Sequence, residues 1–533
     1  MPLCSMAIRD RLRNFVGNAG GNVGVIFAFA LLPILLATGA ALDYGRYNSV
    51  RAKIQTALDS TGLMLAHNVG VVPSEELVEQ ADTFFRENFP EETGVTINSL
   101  DTGITNDKIT MRVAASVDTY IMHLAGVPYL TANVDTEVIR AEDSYEVVLV
   151  LDNTGSMRGS KIEALKEASS LLVDNLFGET AVHPLLKIGL VPFEHAVNVG
   201  VANKNAAWMD TDGLNPLHYD NFDEASMKAK GLTRFDLFDR IRNATWAGCV
   251  EARAYPLDVN DTAPSSANPN TLFVPYFAPD EPDFVCSRFR SNGECRSKDY
   301  KTYPYSNTYL PDGLADNASD KDKQENVDKY KVNVSASGGS PNDGCTANPI
   351  LPLTNKKADV TSALEDMKAG GYTNITEGLM WGLRVISPAA PFTEGKAYGE
   401  KDNHKIVILL TDGKNEVPAE CGSCTNMAES GNDNKSQFGP YGFAASDRLV
   451  DTRNKYTFMS AMNGRTAEAC NAVKAEGIDV FTITFQAGDP ATETLMRNCA
   501  TKPDMYYDSP SASTLNSVFR AIATRISELR IAK

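Results

Sequence analysis

The first apolar pattern in the chain is a run without a charge, residues 23–42 (VGVIFAFALLPILLATGAAL). Its length of about 20 residues is what an α-helix needs to cross a hydrocarbon core. Val50, Ile54, Ala57, Leu58 and Leu65 then recur at helical spacing, which predicts an amphipathic stalk over 47–66 that continues the span outward. Pro73-Ser74-Glu75-Glu76 is a helix-start signal and predicts a second helix over 74–89. Between Gly94 and Glu142 the apolar residues alternate in short runs (Val95, Ile97; Ile109, Met111, Val113; Val134, Thr136, Val138), the pattern of a small β-rich module.

From Tyr145 onward short buried strands alternate with helices. Val147 to Leu151 is an unbroken apolar run, as expected of a strand covered on both faces. A helix over 161–177 carries Ile162, Leu165, Ala168, Leu172 and Leu176 as its core stripe. Strands are predicted at 186–192, 406–411 and 480–485, and helices at 359–368, 377–386, 457–476 and 511–529. This alternation predicts an α/β fold with a doubly wound, mostly parallel sheet over 144–533. Two polar segments interrupt it, 194–350 and 414–454. The first is too long for a structureless loop and reads as a stapled insertion.

Composition adds a compartment. The net charge of −18 argues against a nucleic-acid partner, since phosphate binding needs a basic surface. Arg9, Arg11 and Arg13 precede the apolar run and place residues 1–22 in the cytoplasm as a short tail. Residues 43–92 then form the stalk outside, followed by the β-rich module at 93–143. A signal peptide competes with the span, because Thr38-Gly39-Ala40 is small enough for cleavage. The apolar run is longer than such peptides carry, and Asp43-Tyr44-Gly45-Arg46 follows at once. Eight of the nine cysteines lie beyond the span, an even set that suits disulfides in an exported domain. The pairing expected is Cys470–Cys499, Cys421–Cys424, Cys286–Cys295 and Cys249–Cys345, one choice among on the order of a hundred. Cys421-Gly422-Ser423-Cys424 also has redox or zinc spacing, but it sits among Gly, Ser and Asn and not at a helix start.

The candidate chemistry sits at strand ends. Asp152-Asn153-Thr154-Gly155-Ser156 closes the first apolar strand with an acid and two hydroxyls in alternation. Ligands bind at the carboxyl ends of strands in open α/β sheets, and an acid flanked by hydroxyls is a partial shell for a hard cation. Turn chemistry alone also explains these residue types. Thr373, between a glycine pair and a helix start, is a cap or a ligand. Asp412-Gly413 ends a second apolar strand, and Asp-Gly is a common turn.

Taken together and in this order, these segments resemble the von Willebrand factor A domain with its metal-ion-dependent adhesion site. That family's Asp-x-Ser-x-Ser, separate Thr and separate Asp correspond to Asp152, Thr154, Ser156, Thr373 and Asp412, with Thr154 standing where Ser is usual. The resemblance implies Mg2+, or Mn2+ or Ca2+, and a partner whose acidic side chain completes the metal shell. Gly21-Asn22-Val23, Val25-Ile26-Phe27-Ala28, Asp43-Tyr44-Gly45-Arg46 and Gln55, Ala57-Leu58-Asp59 are similar to the TadE/TadG-like proteins of bacterial tight-adherence (Flp) pilus systems. With Leu151 to Met157, Gly371 to Ile375 and Trp381 to Val385, the whole chain resembles the TadG-like members. Residues 23–29 lack the Glu of peptidase-processed pseudopilins, so that processing is not expected.

The expectation is a single-pass protein of the bacterial inner membrane, with its bulk in the periplasm or at the cell surface. It is expected to be a non-enzymatic, metal-dependent binding component of pilus assembly or secretion, whose partners are other pilus-assembly or envelope proteins. The alternatives are a divalent-metal-dependent envelope hydrolase and a structural anchor with a vestigial site. His67, His123, His183, His195, His218 and His404 show no metal-ligand spacing. Against an aspartic protease, Asp152-Asn153-Thr154-Gly155 has one residue more than the Asp-Thr-Gly that should follow an apolar strand, and Asp412-Gly413 lacks the threonine. Glu194 and His195 follow a strand and are placed to line the metal rim. Trp208, Trp246 and Trp381 read as core or as partner contacts.

Overall fold

The computed structural model describes residues 19–68, 74–104, 108–139, 143–283, 285–290, 295–299, 305–417, 425–428 and 432–531; for 19–23, 67–68, 74, 139, 285–289, 295–299 and 528–531 it describes the backbone alone. The chain forms two compact units, residues 1–142 (with 533) and 143–532.

In the first unit the apolar run and the stalk are one continuous helix, α1 (Ala19–Asn68), with Pro33 inside it. It is long and apolar enough to cross a membrane. Residues 24–38 are exposed, whereas Val50, Ile54, Leu58 and Leu65 are buried. The amphipathic half of α1 therefore has a packing partner, and the uncharged half is left for another solvent. The partner is helix α2 (Ser74–Asn88) together with an antiparallel sheet of β1 (Val95–Ile104), β2 (Lys108–Asp118) and β3 (Tyr129–Ile139). Alternation along β2 buries Ile109, Met111, Val113, Ala115 and Val117 against the helices.

The second unit is built on a six-stranded sheet. Its strands are β4 (Ser144–Asp152), β5 (Leu186–Phe193), β8 (Leu351–Thr354), β9 (Asn403–Thr411), β10 (Asp479–Phe485) and β11 (Tyr506–Ser509), in the order β11-β10-β9-β4-β5-β8. All neighbours are parallel except β5 and β8. The polar segment between β5 and β8 adds a hairpin of β6 (Val285–Phe289) and β7 (Cys295–Asp299).

The unbroken apolar pattern of β4 is explained by its two covered faces. Val147, Leu149 and Leu151 pack with helices α3 (Ser160–Phe177) and α8 (Ala512–Ile531) through Leu165, Leu172, Phe519 and Ile522. Val148 and Val150 pack on the other face with α5 (Ile375–Ile386) and α6 (Lys455–Ala475). Helices α4 (Lys357–Asp366) and α7 (Pro490–Cys499) complete the layers. The chain proceeds from β4 to β5 on one side and from β9 to β11 on the other. The strand order thus reverses beside β4, the position at whose carboxyl ends open α/β sheets bind their ligands.

The segment 194–350 is not a separate module. Trp208 and Phe273 belong to the same buried cluster as Trp381 of α5 and Val150 of β4. With little regular structure, it satisfies backbone carbonyls through buried side chains. Arg253 donates to the carbonyls of Leu257, Asn260 and Thr262 at 3.0, 2.9 and 2.6 Å, and Asn198 donates to Ala247 and Ala347, both at 3.0 Å. The disulfide Cys249–Cys345 closes most of this segment, and Cys470–Cys499 joins α6 to α7. The side chains of Cys286 and Cys295, and all of Cys421 and Cys424, lie outside the described residues. All three tryptophans are buried.

Candidate functional site

Three loops meet where the strand order reverses. The first leaves β4 at Asp152. Thr154 is still extended (φ −70°, ψ 168°), but Gly155–Met157 is a short 3-10 turn, so the acid and hydroxyls do not continue a strand alternation. The turn buries Met157 and leaves Ser156 on the rim while Asp152 and Thr154 are fully enclosed. The Thr154 N–H donates to Asp152 Oδ1 at 2.8 Å, and the Thr154 and Ser156 hydroxyls are 3.0 Å apart.

The second loop leaves β9. Thr411 Oγ1 donates to Asp152 Oδ2 at 2.7 Å, and the Asp412 N–H to the same oxygen at 3.4 Å. Ser156 Oγ donates to Asp412 Oδ1 at 2.5 Å, which links the two loops through their side chains. Lys161, in the first turn of α3, donates to Asp412 Oδ2 at 2.7 Å.

The third loop, before α5, is held by its backbone. Gly370 N–H donates to Asn153 O at 2.8 Å, and Gly155 N–H to Gly371 O at 3.0 Å. Beyond Thr373, the Asn374 N–H donates to Glu194 O at 3.0 Å and the Glu416 N–H to Thr373 O at 2.8 Å. Thr373 is thereby fixed between the loops that carry Asp152 and Asp412. Gly371 has φ +63°, and a Cβ there would lie 2.5 Å from Glu194 Oε2, so only glycine lets this loop approach β5.

Burial, and then the charge of Asp412, push the Asp152 carboxyl up to about 6, against the hydrogen bonds from Thr154 and Thr411. Burial likewise pushes Glu194 up to about 7 and the neutral ring of His195 down to about 4. Thr346 Oγ1 donates to Glu194 Oε2, whereas Glu194 Oε1 and Asn153 Oδ1 are buried without a hydrogen-bond partner.

The donor set is all oxygen: two buried carboxylates and three hydroxyls, with a further unpartnered carboxylate oxygen alongside. That set fits a small hard cation and not a soft one. Among the described residues no group of three or more His, Cys, Asp or Glu is gathered at metal-binding distance, so hydroxyls would have to supply much of the shell. Two of the histidines are engaged elsewhere in the fold: His218 contacts Asp210 at 2.8 Å and His404 contacts Asp143 at 2.9 Å. Sequence reasoning did not find Lys161. Its one signal is a cation in the first turn of a helix, where the macrodipole disfavours it.

Comparison with known proteins bears on the two ends of this reading unequally. Residues 21–64 match the Flp pilus-assembly TadE/G-like family. A search of curated proteins finds no match. Among solved structures, the vWF domain of the type V pili tip protein Mfa5 from Porphyromonas gingivalis is 11% identical, with 72% of this chain and 96% of that chain covered and a TM-score of 0.32. The pilus adhesin SpaC from Lactobacillus rhamnosus GG is 12% identical over 82% of this chain, with a TM-score of 0.31. The chain spans 35% of SpaC. The pilus adhesin RrgA from Streptococcus pneumoniae is 13% identical over 81% of this chain and 48% of its own, with a TM-score of 0.32. Likenesses this weak carry no argument about the site.

Proposed function

We propose that this chain is a membrane-anchored component of Flp pilus assembly that grips envelope protein partners through a divalent cation. The TadE/G-like match over residues 21–64 supports the pilus setting. The proposed architecture is a cytoplasmic tail (1–22), a span (23–42), a helical stalk (43–92) and a β-rich module (93–143). A doubly wound domain of the von Willebrand factor A type (144–533) follows, in the periplasm or at the cell surface. Asp152, Thr154, Ser156, Thr373 and Asp412 are the proposed ligands, and Mg2+ the first candidate, with Mn2+ or Ca2+ as substitutes.

The observation that carries this reading is the hydrogen-bonded relay from Asp152, through the backbone N–H and then the hydroxyl of Thr154, to the Ser156 hydroxyl and Asp412 across two strand ends. Hydroxyls are neutral ligands, so an ion held largely by them keeps enough positive charge to draw a partner's carboxylate. Such a site binds without needing a nucleophile or a base. A pull-down from envelope extract with and without Mg2+ tests it. Capture that depends on Mg2+ and is lost in Asp152→Ala supports the reading, and equal capture in all arms rejects it in favour of a structural anchor.

A further inference from the structure

The first unit carries an apolar surface that its own core does not use. β2 and β3 are joined by a turn running from Tyr120 to Tyr129, the first residue of β3, and the large side chains at its ends and at Leu124 face outward. Leu124 is 77% exposed, Tyr120 63% and Tyr129 54%. Leu124 matches the exposure of Phe29 in the uncharged half of α1. In water such a cluster is unfavourable by about 25 cal/mol per Å².

The position of the turn along α1 gives the cluster its meaning. A Cβ on Gly39 would lie 2.1 Å from Ile121 Cγ2, so the turn lies directly on the helix at that glycine. Gly39 is three residues before Leu42, where the uncharged run ends. At 1.5 Å per residue, Ile121 packs about 4–5 Å inside that end. A bilayer spanned by residues 23–42 would therefore reach the turn.

The turn is also suited to that depth, where unpaired backbone groups are costly. The Asp43 carboxylate accepts the N–H groups of Tyr120, Ile121 and Met122 at 2.9, 2.8 and 2.7 Å. Leu124, Gly126 and Val127 donate to Ile121, His123 and Met122 carbonyls, each at 3.0 Å. Arg46 stacks over Tyr120 with its guanidinium 4.7 Å from the ring centre and donates to the carbonyls of Asp118 and Thr93. Tyr44, Tyr120 and Tyr129 thus lie with Arg46 around the outer end of the uncharged run, the composition of a membrane–water interface.

We propose that the Tyr120–Tyr129 turn is a second membrane contact, seating Leu124 and its flanking tyrosines at the boundary between headgroups and acyl chains. A helix alone leaves the first unit free to rotate and tilt about one axis. A second contact to one side of that axis fixes both. The proposal rests on the reading of residues 23–42 as a span, and its test separates the two.

The full chain is reconstituted in phosphatidylcholine vesicles carrying lipids brominated near the top of the acyl chains, and tryptophan emission is read. Three variants are compared with the unsubstituted chain, whose three tryptophans set the background. Leu36→Trp reports on the span, Leu124→Trp on the turn, and Glu137→Trp on the far end of β3, about 27 Å further along the strand. The added emission of Leu124→Trp is expected to lose at least half its intensity, comparably to Leu36→Trp, while that of Glu137→Trp is unchanged. Quenching of Leu36→Trp with Leu124→Trp no more quenched than Glu137→Trp overturns the membrane contact and leaves the span standing. Escape of both Leu36→Trp and Leu124→Trp overturns the span and the proposal with it.

Discussion

The Nζ of Lys161 donates to the Asp412 carboxylate at 2.7 Å, and the Asp412 side chain is fully buried while that of Lys161 is 25% exposed. A buried carboxylate needs a counter-charge, and Lys161 supplies it from a helix start where the macrodipole disfavours a cation. On the proposed metal reading, ammonium and divalent ion compete for the same oxygen. Lys161→Met is expected to bind Mn2+ about tenfold more tightly, or about 1.4 kcal/mol, by titration calorimetry. Without added metal it is expected to be less stable by about 1–2 kcal/mol, because Asp412 loses its partner. A variant whose Mn2+ affinity equals that of the unsubstituted chain would show that the lysine is only structural.

Asp152 separates charge from hydrogen bonding. It accepts from the Thr154 N–H and from Thr411 Oγ1, and Asn keeps an acceptor oxygen while losing the charge that Asp412 and burial oppose. Asp152→Asn is expected to remain within about 1–2 kcal/mol of the original stability and to lose at least about a hundredfold in Mg2+ affinity. Asp152→Ala leaves the Thr154 N–H unpaired, although Thr411 Oγ1 keeps the Gly413 carbonyl, and is expected to unfold at lower temperature as well. Thermal melts beside calorimetry check both, and unchanged Mg2+ binding in the Asn variant refutes the ligand assignment.

The layered α/β unit was legible because its strands are short apolar runs and its helices keep a regular stripe, as in Val147 to Leu151 and Ile162 to Leu176. The spacing also put Asp152, Thr154 and Ser156 on one turn, and in the structure the Thr154 hydroxyl meets that of Ser156, which in turn donates to Asp412. Four features escaped. The edge strand Leu351–Thr354 is four residues long and antiparallel, too short to show a period. The 194–350 segment has no period because arginine and asparagine side chains hold its carbonyls in place of a ladder. Lys161 was hidden because its partner lies 251 positions away, beyond any local pattern. The packing of Ile121 on Gly39 escaped for the same reason.

The staple of the irregular segment carries a prediction. Cys249 and Cys345 are 96 positions apart, and Cys470 and Cys499 are 29 apart. Constraint of the unfolded chain grows with the loop closed. Replacing Cys249 and Cys345 together by Ala is expected to cost about 2–4 kcal/mol and to open residues 194–350 to limited proteolysis. The Cys470→Ala, Cys499→Ala pair is expected to cost less and to leave that segment resistant. Urea midpoints and digestion maps decide, and an intact segment in the first variant would show that its buried side chains alone hold it.

Glu281 gives the fold a pH dependence of a definite sign. It is buried, and burial pushes its carboxyl up to about 7 even though it accepts from the N–H groups of Ser306 and Asn307 and from Asn434 Nδ2 at 3.0, 2.8 and 2.9 Å. A folded-state value above the unfolded one means that the protonated form is favoured in the fold. Its contribution is fully present below the ordinary carboxyl range near 4.5 and is lost as pH rises through about 7, with a magnitude of up to about 3 kcal/mol. Glu194 and Asp152 shift in the same direction, so a fall in stability toward pH 8 does not by itself identify Glu281. Comparison with Glu281→Gln does, since Gln stays neutral at every pH. The variant is expected to have the higher urea midpoint at pH 8, and the gap from the original chain is expected to close toward pH 5. Midpoint curves that run parallel from pH 5 to pH 8 would mean that Glu281 keeps its ordinary ionisation in the fold.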